Sequence, residues 1–148
     1  MKLPLATGVL SAAILAGCTP VLAANGRFVL RVDRTFDRKA QPSLPVEELS
    51  GEAYREGAPA DRWDVVIEGA RIVLTEMDNL SGFGRRLEGW EDAPAPEIAR
   101  RGERRFHLGT GGLGESGRFV LRGDEAELTL YGAGVPVLMS ERGKLLPR

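Results

Sequence analysis

The stretch that most limits the fold is Arg118 to Tyr131. Phe119-Val-Leu-Arg and Glu125-Ala-Glu-Leu-Thr-Leu flank a two-residue Gly123-Asp124 turn. A two-residue hairpin loop fixes the register: Arg122 faces Glu125, Leu121 faces Ala126, Val120 faces Glu127 and Phe119 faces Leu128. Phe119, Leu121, Ala126, Leu128 and Leu130 then share one face and Arg118, Arg122, Glu125 and Glu127 the other, so the hairpin must bury one side and leave the other to water. Opposed charges across the ladder add a few tenths of a kcal/mol each, and like charges would resist this register.

A second hairpin is predicted over Trp63 to Met77. Gly69-Ala70 suits a type II′ turn, pairing Glu68 with Arg71, Ile67 with Ile72 and Val65 with Leu74. Alternation predicts another strand at Arg27 to Asp33, with Phe28, Leu30 and Val32 on one face. Further strands are expected at Phe83 to Trp90, Arg104 to Leu108 and Val135 to Ser140, where Pro136 suits an edge or a strand start. Glu141 to Arg148 reads as a tail, with Leu145 and Leu146 packed back on the domain. Val46 to Glu56 reads as a short helix outside the sheet, with Ser43 and Pro45 near its start and Val46, Leu49 and Ala53 as a stripe. Glu97 to Arg101 predicts one helical turn. Asp78 to Gly82, Glu91 to Pro96 and the glycine-rich Gly109 to Gly117 read as loops.

The expected fold is therefore mainly β: a small antiparallel β-barrel or β-sandwich of about seven or eight strands with one short peripheral helix. The run of hairpins favours a barrel. Gly26-Arg-Phe-Val-Leu-Arg31 recurs as Gly117-Arg-Phe-Val-Leu-Arg122. The identity is too short for a repeat architecture, and predicts two like-built strands that become neighbours if the sheet closes. Lipocalin-like barrels hold a small ligand in the mouth, but the first strand here lacks the glycine-x-tryptophan start usual among lipocalins.

The N-terminus has a different character. Lys2 precedes the uncharged, largely apolar run Leu3 to Ala16, which ends in Leu15-Ala16-Gly17-Cys18. The run is shorter than the ~20 apolar residues a membrane span needs, and has the make-up of a signal peptide. Leu15 to Cys18 resembles the lipobox of bacterial lipoproteins, where the leader is removed just before a cysteine that receives lipid. The resemblance implies residues 1–17 as signal peptide, Cys18 as the lipidation site, 18–26 as a tether and 27–148 as a single β domain. It also implies three acyl chains, hence stable anchoring. Thr19 rather than Asp after the cysteine implies the outer membrane, facing the periplasm. An ordinary signal-peptidase cut after Ala23 or Ala24 would instead release a soluble periplasmic or secreted protein. Cys18 is the one cysteine in the chain, so either cut leaves a domain without a disulfide.

The motifs that suggest chemistry fail on context. Gly109-Thr-Gly-Gly-Leu-Gly114 fits G-x-G-x-x-G, but a strand follows where a phosphate-binding helix start is required. Read as a P-loop, it has Glu115 where the phosphate-binding Lys belongs. His107 is the sole histidine, too little for a zinc site, and no nucleophile elbow surrounds Ser81 or Ser116. Asp78 to Gly82 lacks the length and terminal Glu of a calcium loop. Glu88, Glu91 and Asp92 near Trp90 could serve a glycosidase, but fit a solvated strand end. No cofactor and no metal are expected.

The charge balance, 20 Lys and Arg against 21 Asp and Glu, gives no general attraction to nucleic acid. Arg100, Arg101, Arg104 and Arg105 make local positive density, a candidate contact for anionic lipid or phosphate. The expected function is that of an envelope lipoprotein whose non-enzymatic β domain binds an envelope protein or a small apolar ligand. The alternative is a periplasmic or secreted carrier or hydrolase, with Glu88, Asp92 or His107 gathered in a pocket under the Gly109 to Gly117 loop and lined by Trp63 and Trp90.

Overall fold

The computed structural model describes residues 25–39, 53–77, 84–93, 96–109, 116–132 and 135–148. Eight strands close into an antiparallel barrel in simple sequence order. They are β1 (Gly26–Asp37), β2 (Arg55–Glu68), β3 (Arg71–Glu76), β4 (Arg86–Glu91), β5 (Glu103–Gly109), β6 (Ser116–Arg122), β7 (Glu125–Gly132) and β8 (Val135–Pro147). One short helix, α1 (Pro96–Arg100), lies between β4 and β5. The β-barrel expectation holds, and the predicted turn at Glu97 to Arg101 is this helix.

Both hairpins adopt the registers their turns dictate: Glu68 pairs with Arg71 and Val65 with Leu74, Arg122 with Glu125 and Phe119 with Leu128. Gly69 and Gly123 have φ of 61° and 63°, and no other residue type takes positive φ among those described. A glycine of positive φ followed by a residue of negative φ fits the type II′ turn, whose twist matches the strands it joins.

Alternation decides what lies inside. Phe28, Leu30, Val65, Ile67, Ile72, Leu74, Phe106, Leu108, Phe119, Leu121, Leu128, Leu130 and Leu145 belong to one buried cluster filling the interior. Intervening residues point outwards, where charges follow one another across the ladders: Glu103 beside Arg122, Glu125, Lys144, Arg31 and Asp61. An apolar inside with a charged outer wall is the reverse of a membrane-spanning barrel. No helix among the described residues is long and apolar enough to cross a membrane.

Three expectations need correction. The predicted helix at Val46 to Glu56 ends inside β2, since Arg55 and Glu56 pair with Thr35 and Arg34; residues 46–52 lie outside the described residues. Ala53 and Tyr54 pack on the outer wall instead, in a second cluster with Phe36, Val137 and Tyr131. The supposed tail Glu141 to Arg148 is, as far as Pro147, the second half of β8, pairing with β1 from Glu141 opposite Thr35 to Pro147 opposite Phe28 and so closing the barrel. Of the two leucines expected to pack back, Leu145 is fully buried and Leu146 only half-buried. Finally, the strands sharing Gly-Arg-Phe-Val-Leu-Arg are β1 and β6, with β7 and β8 between them. Their likeness is one of construction: each puts Phe and Leu inside and a covered Val, Val29 or Val120, outside.

Candidate functional site

Among the described residues, apolar side chains fill the barrel interior. Trp63, Phe106 and Phe119 are fully buried in it, the two Phe rings 6.2 Å apart. Each end of the barrel carries a carboxylate held by arginine. At the end carrying the β2–β3 turn, Arg104 grips Glu91 with two bonds of 2.7 Å, donates to the Gly69 carbonyl at 3.0 Å and covers the Phe106 ring. At the other end, Arg85 binds both oxygens of Glu76 at 3.0 Å. Arg62 reaches Glu76 and Glu141 at 3.4 and 3.3 Å. Glu141 also accepts a 2.6 Å bond from the Trp63 indole N–H. The hydrogen bond from Arg85 is the main reason that the Glu76 carboxyl sits below its ordinary pKa.

Among the described residues one hollow lies on the outer wall and another opens beside the mouth that holds Glu141. One, about 280 Å³, runs over β7 and β8 beside Arg34, Arg122, Glu127, Arg142 and Lys144. The other, about 180 Å³, lies where Gly57, Ala58 and Pro59 of β2 face only Asp33 of β1, and reaches Glu141. Both fall below the 300–1,000 Å³ usual for small-molecule pockets; charged residues dominate the lining of the first and make up half that of the second.

The candidate catalytic residues do not converge in a pocket. Glu88 is exposed on the outer wall, bonded by Arg71 at 2.6 Å and Arg86 at 3.3 Å. The Arg71 bond is the largest reason for its lowered pKa, opposite to what a general acid needs. His107 is exposed on the same face, directly paired with Trp90. Asp92 is exposed beyond the end of β4. Ser81 and Thr110 to Glu115 lie outside the described residues. No group of three or more His, Cys, Asp or Glu able to hold a metal occurs among the described residues.

The four arginines singled out as a patch are divided. Arg100 and Arg101 are exposed at the end of α1 and just after it. Arg104 is committed to Glu91. Arg105 lies on the opposite face of β5 and binds Glu103, which Arg122 also holds at 2.6 Å. Cys18 lies outside the described residues.

The feature the sequence reading passed over is the outer rung Arg71, Trp90, His107 and Arg118, at the same end of the barrel as Arg104 and the β2–β3 turn. Trp90 is the exposed large hydrophobic among the described residues, at 63%. Its side is readable from Leu87-Glu-Gly-Trp90: once Leu87 points inwards, Trp90 must point outwards. The chain enters at this place too, because Asn25 accepts a 2.7 Å bond from the Gly69 N–H.

Compared with protein-family models, with curated proteins and with solved structures, the chain matches none.

Proposed function

We propose that this chain is a bacterial envelope lipoprotein, held in the outer membrane through lipid on Cys18 and facing the periplasm, whose barrel is a non-enzymatic interaction module. Leu15 to Cys18 supports the anchor. The filled interior supports a role for the surface over that of a carrier. The carboxylates at both mouths are engaged by arginines, and the former catalytic candidates are exposed to solvent rather than gathered in a pocket. Among the described residues the large apolar side chain left to solvent is on the outside, at Trp90, where a binding surface would place it.

Mass spectrometry of the mature N-terminus tests the anchor. The expected species begins at Cys18 and carries acyl chains. An unmodified chain beginning at Ala24 or Asn25 would refute the anchor and leave a soluble periplasmic or secreted barrel. Titration of the Trp90→Phe variant with a fluorescent fatty acid, read by energy transfer from Trp63, tests the module. No saturable uptake is expected, and stoichiometric uptake would put the small-ligand carrier first.

A further inference from the structure

We infer that the barrel end bearing the β2–β3 turn rests on the lipid surface, with Trp90 seated among phospholipid headgroups. This rests on the lipid-anchor reading and adds an orientation and a contact residue to it. From Cys18 to Gly26 the chain can span at most about 28 Å, so the barrel cannot leave the bilayer by more than roughly its own width. The described chain begins at this end, pinned by Asn25 to Gly69. The next strand position after that turn is Arg71, directly paired with Trp90. An exposed Trp therefore stands beside the point from which the tether leaves.

Trp is the side chain best suited to this boundary, since its ring is apolar and its indole N–H seeks a polar partner. The surrounding charge is mixed: Arg71 and Arg118 in the same rung and exposed Arg100 and Arg101 stand against Glu88, Asp92 and Glu97. Seating therefore depends on the ring more than on net charge, and neutral lipid suffices.

The second tryptophan makes the test clean, because Trp63 is fully buried and reports the unperturbed barrel. Full-length lipidated protein would be reconstituted into phosphatidylcholine vesicles with brominated acyl chains. The part of the emission due to Trp90, read as the difference between wild type and Trp90→Phe, should be largely lost in brominated vesicles and retained in unbrominated ones. High salt should leave the loss unchanged, and acrylamide should reach Trp90 less readily on vesicles than in detergent. Unaltered Trp90 emission and full access to acrylamide, in protein shown to be lipidated, would overturn the placement and leave Trp90 as a contact for a protein. An N-terminus without lipid would instead defeat the anchor itself, and the orientation with it.

Discussion

At the scale of single residues, the carboxylates that matter are those on which two arginines converge. Glu103 is almost wholly buried on the outer wall. Burial alone would raise its pKa, but hydrogen bonds from Arg105 and Arg122 outweigh that and hold it below the ordinary value. Glu76 is shifted the same way by Arg85. A carboxyl with a depressed folded pKa contributes stability above its unfolded value, about 4.3, and loses it as pH falls through the folded value. The urea midpoint should therefore be flat from neutrality down to about pH 5 and fall below it. Glu103→Gln should lower stability by about 1–2 kcal/mol at neutral pH and flatten the acid limb. A variant titrating like wild type would remove Glu103 from the account. Tyr54 makes a separate case on the outer wall. Its hydroxyl lies 3.0 Å from Glu127 and 2.9 Å from Ser140, and the Arg142 guanidinium covers its ring. Tyr54→Phe should cost about 1–2 kcal/mol in a urea titration, since Ser140 and Glu127 lose a partner in a place water barely reaches.

Between residue and barrel stands the strand pair, and here glycine marks where backbones meet. A Cβ on Gly143 would sit 1.8 Å from the Arg31 carbonyl oxygen. Gly143→Ala should therefore force β8 away from β1 and cost at least about 3 kcal/mol, beyond an ordinary overpacking change. Gly57→Ala meets nothing within 4 Å and should be neutral, or stabilising by up to about 1 kcal/mol through the unfolded chain. Equal urea midpoints for the two would refute the steric reading. The same contrast explains what sequence reading reached. The two hairpins were legible because the turn residues and the side-chain alternation are local and agree. The first half of β2 was not, because Arg55 to Asp61 is exposed throughout, and an exposed strand with Pro59 has no alternation to read. The second half of β8 was hidden by its charges: Glu141, Arg142 and Lys144 look like a solvated tail until the Trp63 bond explains why Glu141 can be inside. At the candidate site the side on which Trp90 lies was in the pattern all along. Its rung partners came only with the pairing of β3, β4 and β5, which no local signal specifies.

For the molecule as a whole, the seam between β1 and β8 decides whether there is a barrel or an open sheet with two unpaired edges. It joins the ends of the described chain, so its contacts are those of greatest sequence separation, and folding should be slow for a domain of this size. Deleting residues 145–148 would remove fully buried Leu145, opposite Leu30, and the last rungs of the seam. The truncated chain should lose about 3 kcal/mol or more, seen as a lower urea midpoint by Trp63 fluorescence; an unchanged midpoint would mean that the barrel does not depend on this closure. At that seam the Arg148 N–H donates to the Arg27 carbonyl at 3.0 Å, so the two ends of the described barrel adjoin. The order in which the strands are connected is therefore separable from the way they are arranged. A circular permutant, linked from Arg148 to Asn25 by a few residues and opened between Gly123 and Asp124, should rebuild the same wall with β7 first and β6 last.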